Sequence, residues 1–216
     1  MIHWIKSIVQ VLLLTLVIQV PVIAEMSWGK MDDTVVGYLI HVLCWFVLTA
    51  LIFWLLGTLR KKYRDDSLQV REYSYVKLFG LVLLGIVIKI VLSNILLLLS
   101  GSTIDNSSML DLFQSKYGWM ALLSVNILGP IREEYLYRGI FQERIRNKAY
   151  PMISVFVTTA IFAFVHTYNI SVSFWMTFFS GLVFSWVYYK TNHLKYPIVA
   201  HILSNSIVTV LNVISI

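Results

Sequence analysis

The sequence predicts an all-α fold, a polytopic transmembrane helix bundle of about seven spans. Three observations carry this. Hydrophobic residues make up 58% of the chain and charged residues 13%, against roughly 45–50% and about 25% in soluble domains. The apolar residues fall in runs of about 20, the length that crosses roughly 30 Å of hydrocarbon as a helix. Runs that long are helical in lipid, because only a helix pairs all its backbone groups within one segment. Charged residues gather between the runs, with one exception in the middle of the chain. No soluble core is expected outside the bilayer, and residues 1–216 read as a single integral-membrane domain.

The expected spans are Ile8–Ala24, Val35–Leu59, Leu78–Ser100, Gly118–Ile140, Pro151–Thr167, Ser171–Tyr189 and Tyr196–Ile216. The first has a short basic n-region at Lys6 and ends Val22-Ile23-Ala24, like a signal-peptide cleavage site. An uncleaved span is favoured, since more spans follow. The last three are joined by short connections and pack as antiparallel neighbours. Trp28, Trp119, Tyr188 and Tyr189, near span ends, read as interfacial anchors. No repeat or linker divides the chain.

Orientation follows from Lys and Arg. One set of ends holds Lys6, then Arg60, Lys61, Lys62, Arg64, Arg71 and Lys77, then Arg138, Arg144, Arg146 and Lys148, then Lys190 and Lys195. The opposite ends hold only Lys30 and Lys116. The N-terminus is therefore expected in the cytoplasm. The net charge of +6 is explained by this bias and calls for no nucleic-acid partner. Cys44, the single cysteine, has no disulfide partner in the chain and no metal-ligand spacing.

The exception is the stretch from Gly129 to Gly139. Glu25, Asp32, Asp33, Asp65, Asp66, Glu72, Asp105 and Asp111 sit in polar connections, and Glu143 in a basic stretch. Only Glu133 and Glu134 are expected at membrane depth. An ionisable group there costs about 2.5–3.5 kcal/mol on insertion scales and is kept for a partner or a function. Glu134 and Arg138 are four apart and share a helix face. Glu133 points roughly 100° away. Glu134 is thus expected to hold Arg138, leaving Glu133 for chemistry. The plainer alternative pairs both acids with Arg132 and Arg138 as packing.

Two further constellations are Phe162-Ala-Phe-Val-His166 and His201-Ile-Leu-Ser-Asn205. Imidazole beside carboxylate serves proton transfer or metal binding. At 1.5 Å per residue, Glu133 and His166 both lie roughly 20–26 Å from the turn that joins their spans, so they are level. His201 lies only about 10 Å past its connection, and a tilted, short or broken helix is needed to raise it. His41 and Lys89 read as structural, and His3 and His193 as terminal or loop residues. There is no His-Glu-x-x-His, no Gly-x-Ser-x-Gly and no phosphate loop.

Glu133-Glu134-x-x-x-Arg138, Phe162-x-x-x-His166 and His201-x-x-x-Asn205 together resemble the signature motifs of the CPBP family, the CAAX-protease and bacteriocin-processing (Abi) membrane proteins. The resemblance covers about the last 100 residues, with the motifs within 118–216. It implies an intramembrane endopeptidase acting on membrane proteins or hydrophobic peptides. Carried over, Glu133 and His166 activate a water, His201 and Asn205 stabilise the oxyanion, and Glu134 and Arg138 support the site. It leaves two chemistries open: a zinc ion held by Glu133, His166 and His201, or a metal-free glutamate mechanism. Both are compatible with these residue types. The short chain resembles bacterial members, which implies a bacterial plasma membrane and a role in bacteriocin self-immunity or peptide-signal processing. A non-catalytic immunity or scaffold protein is the alternative. A proton-coupled transporter is weaker, since no repeat is visible.

If the four catalytic residues serve one reaction, they converge on one water-accessible pocket. Glu133 and His166 are then about one water apart, with His201 and Asn205 opposite. The polar stretch from Arg138 to Lys148 suggests that this pocket opens toward the basic, cytoplasmic face.

Overall fold

The computed structural model describes residues 2–23, 34–100, 113–146 and 149–214. The sequence readings on Glu25, Trp28, Lys30, Asp32, Asp33, Asp105, Asp111 and Lys148 fall outside these residues, as do those on the side chains of His3 and Lys89. All seven expected spans are helical, and the described residues contain no strand. They are α1 (Ile2–Ile18), α2 (Val35–Tyr63), α3 (Tyr75–Ser100), α4, α5 (Pro151–Thr167), α6 (Val172–Thr191) and α7 (Lys195–Ile214). Among the described residues, four helices are long and apolar enough to cross a membrane: Trp4–Ile23, Val35–Tyr63, Tyr75–Leu92 and Val172–Thr191.

α4 is built in pieces. An α-helix over Gly118–Leu123 passes into a π-helical turn, Ser124–Leu128, then the α-helix Gly129–Leu136, a second π segment Tyr137–Gln142, and a last turn Glu143–Ile145. Its end lies beyond the Ile140 expected from hydropathy, and this carries Arg138 inside. Arg138 is fully buried, so it does not belong with the basic ends where the charge pattern placed it. π-bulges cluster at functional sites, and these two flank Glu133 and Glu134.

α4 is the central helix, packed against α1, α2, α5 and α7. One core joins Val11 and Ile18 of α1, Ile52 and Leu56 of α2, Leu136 to Ile145 of α4, and Phe162 of α5. A second joins Leu78, Val82 and Ile86 of α3 to Phe184 and Val187 of α6 and Tyr196 and Ala200 of α7. A third sets Trp45 of α2 against Tyr117 and Met120. His41 is buried and packs edge-on to Tyr117, as its structural reading anticipated. Large apolar side chains such as Leu16, Leu43, Trp54, Val76 and Leu98 face outward. A water-soluble monomer rarely exposes so much contiguous apolar surface; here that surface faces lipid.

The two ends of the bundle differ. At the basic end, Arg71 N–H donates to the Thr191 carbonyl at 2.8 Å. Arg146 donates to Asn192 Oδ1 at 2.8 Å, and Asn192 Nδ2 donates to the Gln69 carbonyl at 2.8 Å. Tyr188, expected as an interfacial anchor, is buried instead and donates to Glu143 Oε2 at 2.9 Å. In the loop before α3, hydrogen bonds from Tyr196 and Lys195 hold the Glu72 carboxyl below its ordinary range. At the other end Trp119 is half-exposed and donates to Tyr38 Oη at 3.0 Å.

The seventh span explains how His201 reaches depth. The short connection before α7 dips into the bundle, so that Leu194 is buried. A Cβ on Gly139 would lie 2.9 Å from Leu194 Cδ1, so α7 begins level with Gly139 rather than with the end of α4. Six or seven residues up from there, about 10 Å, His201 is level with Glu133. α7 is of ordinary length, 20 residues; its low starting point, against Gly139, brings His201 to depth in place of the tilted, short or broken helix that the sequence reading expected.

Candidate active site

Arg138 and Glu134 form the floor. Arg138 Nη1 lies 3.0 Å from Glu134 Oε1, and both side chains are fully buried. The guanidinium also donates to the Gly181 carbonyl at 2.9 Å and to Ser185 Oγ at 3.3 Å. It lies over the Phe162 ring, 4.6 Å from the centroid. The lack of a side chain at Gly181 makes the approach possible, since a Cβ there would sit 2.9 Å from Phe162 Cδ1 and 3.4 Å from Arg138 Nη2. Gln142 Nε2 donates to the Ser185 carbonyl at 3.0 Å. This polar stripe on α6 was missed in the sequence; its signal is Gly181 and Ser185, four apart on one helix face.

Glu134 has a second partner. His201 Nδ1 lies 2.8 Å from the same Oε1. The carboxylate paired with Arg138 accepts, so the His201 Nδ1–H donates. The Phe184 ring stacks on the imidazole with centroids 4.4 Å apart and fixes its plane. Glu134 thus joins α4 to α6 through Arg138 and to α7 directly.

Glu133 stands on the neighbouring face, as the helical period predicts. Its Oε2 lies 3.6 Å from His166 Nε2 and 3.8 Å from His201 Nε2. Its side chain is 19% exposed, against 0% for Glu134, so of the two acids it is the one that meets the cavity. His166 Nδ1 is 2.6 Å from the Phe162 carbonyl. A carbonyl only accepts, so the ring proton sits on Nδ1 and Nε2 turns toward Glu133. That bond also explains the i, i+4 spacing of Phe162 and His166.

Asn205 is placed by the first π turn. There the Gly129 N–H bonds back to the Ser124 carbonyl, so the next such bond would run from residue 130 to the Val125 carbonyl. Residue 130 is proline and has no N–H. Asn205 Nδ2 takes the free carbonyl at 2.9 Å, and one turn further on Thr209 donates to Asn126 at 2.9 Å.

These side chains border one cavity of about 340 Å³, which Glu133, His166, His201, Asn205 and the buried Arg132 all line. The cavity runs from Glu133 toward the end of the bundle away from the basic loops, along Gln19, Val22, Ser124 and Thr177. The expected opening toward the basic face is therefore wrong. The stretch after Glu133 is polar but closed: Arg138, Gln142 and Glu143 are all buried, and none of them lines the cavity. Polar sequence there signals an internal hydrogen-bond network, not contact with water.

Residues 115–207 match the family model described as type II CAAX prenyl endopeptidase Rce1-like. This segment, somewhat under half of the chain, is similar to that family. No curated protein and no solved structure matches the chain. The description names an endopeptidase, and the matched segment includes the helices that build the cavity. The matched residues contain all three motifs and every side chain lining the cavity except Ile18, Gln19 and Val22. Zinc accepts donors of the kinds that Glu133, His166 and His201 offer. Among the described residues no three His, Cys, Asp or Glu are grouped as a metal site, while the His201 Nδ1–H bond to Glu134 leaves Nε2 free, an arrangement that suits a metal ligand and a hydrogen-bonding imidazole alike.

Proposed function

We propose that this protein hydrolyses peptide bonds of membrane proteins or hydrophobic peptides, with Glu133 as general base. The observation that carries the reading is the facing of Glu133 Oε2 by Nε2 of both His166 and His201 beside the cavity. A water set between Glu133 and His166 donates one hydrogen to each and turns its lone pairs to the scissile carbonyl. As the new C–O bond forms, the Glu133 carboxylate takes the proton. It returns that proton to the leaving amine as the C–N bond breaks. His201 donates to the oxyanion from Nε2 when doubly protonated, and Glu134, bonded to its Nδ1, supports that charge. Asn205 has a second amide N–H for the same oxygen. Donors aimed at a developing oxyanion are worth about 2.7–4 kcal/mol each.

The steps are written for the metal-free form, in which every role falls to a side chain; in the other form Glu133, His166 and His201 would hold a zinc ion that polarises the water. Cleavage of candidate membrane peptides by wild type and Glu133→Gln tests the reading. We expect Glu133→Gln to lose about 10²–10⁴ in rate while staying folded. Turnover at the wild-type rate would sink the assignment. The alternative, a non-catalytic immunity or scaffold protein, needs only the buried Glu134–Arg138–His201 network. It is selected if Glu133→Gln keeps full biological protection.

A further inference from the structure

The two ends of the bundle differ in charge, and the cavity lies at one of them. The loop between α2 and α3, the end of α4 and the connection before α7 meet at the basic end. There Arg146, Asn192 and Gln69 form a hydrogen-bonded chain, and Glu143 accepts from Tyr188. Loops rich in Lys and Arg stay in the cytoplasm.

The cavity wall comes from the opposite half. Gln19 and Val22 follow the end of α1, Ser124 and Val125 lie early in α4, His166 is in the last turn of α5, and Thr177 is in the second turn of α6. Chain directions place every one of these nearer the end with few basic residues. Toward the basic end the floor is sealed by Arg138, Gln142 and Ser185, each 0% exposed. Water or a peptide approaching from the basic side meets a wall of fully buried side chains, tied to α6 by Arg138 and Gln142.

We infer that the site is open to the side of the membrane away from the cytoplasm, and that its substrate is a peptide segment presented there. Such a segment is an exported chain or the external part of a membrane protein. The substrate half of this statement rests on the proteolytic reading above; the sidedness does not. A lipidated C-terminus held on the cytoplasmic leaflet would lie at the wrong end of the bundle.

Cysteine accessibility in sealed cells tests this without turnover. In a Cys44→Ser background, Thr177→Cys and, separately, Gln19→Cys place a thiol on two different walls of the cavity. Ser67→Cys places one in the exposed basic loop. A charged, membrane-impermeant thiol reagent is expected to modify both cavity cysteines in sealed cells and Ser67→Cys only after the cells are opened. Cavity cysteines that react only on opening, or from the same side as Ser67→Cys, overturn the inference. So do cavity cysteines that react from neither side. Correct labelling with no peptidase activity in wild type would remove the proteolytic reading and leave the sidedness standing.

Discussion

His201 and Glu134 touch, Nδ1 to Oε1 at 2.8 Å, although 67 residues separate them. The same oxygen holds Arg138 at 3.0 Å. One fully buried carboxylate therefore balances a guanidinium and orients an imidazole. Removing one partner of a buried pair costs about 3–5 kcal/mol, because the other charge is left uncompensated. Glu134→Gln is expected to lower the folded yield and thermal midpoint in detergent markedly. Glu133→Gln, at a partly exposed position, is expected to change them little. Equal losses in the two variants would refute this division of labour.

Gly139 sets the height of α7. A Cβ there would meet Leu194 Cδ1 at 2.9 Å and Arg60 Cδ at 3.1 Å. Gly139→Ala asks the buried Leu194 and the partly exposed Arg60 side chains to shift by a few tenths of an ångström, whereas Gly139→Leu requires α7 to move. The Leu variant is expected to cost about 1–3 kcal/mol from overpacking and to cut kcat far more than Gly139→Ala does, by carrying His201 away from Glu133. If both variants reduce kcat in proportion to their stability loss, Gly139 has no part in placing His201.

The spans were legible because roughly 20 apolar residues leave little choice in lipid. Their ends were less so: α2 continues helical through Arg60 to Tyr63 and α4 through Gln142 to Ile145, since a helix does not stop where hydropathy falls. The Glu134–Arg138 pair was legible as a local i, i+4 contact. The Glu134–His201 pair was not, because it depends on the depth of α7, which depends in turn on Leu194 fitting against Gly139. The mouth of the cavity was misread for a related reason. Arg138, Gln142 and Glu143 look solvated in sequence, yet partners on α6 satisfy them inside: Ser185 for Arg138 and Gln142, Tyr188 for Glu143.

Metal dependence separates the two chemistries that the family resemblance left open. If Glu133 acts as general base with His166 and His201 as its only partners, cleavage is expected to survive dialysis against a strong zinc chelator. The check is activity and bound-metal content before and after dialysis. Activity lost with the metal and restored by added zinc would replace the metal-free mechanism with a zinc-dependent one.

Pro130 and Asn205 are expected to act as one unit. Because Pro130 has no N–H, the Val125 carbonyl is left free for Asn205 Nδ2 at 2.9 Å. If Asn205 donates its other N–H to the oxyanion, Asn205→Ala should lower kcat by about 10²–10³ with little change in KM, the mark of an interaction made in the transition state. Pro130→Ala restores a backbone N–H that competes for the same carbonyl or draws the π turn back toward α geometry. Either way Asn205 loses its anchor, so Pro130→Ala should show part of the same kcat loss without touching substrate. The decisive measurement is the double variant. Residues acting through one contact are non-additive, so Pro130→Ala with Asn205→Ala should be no slower than Asn205→Ala alone. Fully additive losses would mean that Pro130 affects the reaction by another route and that the π turn does not position Asn205.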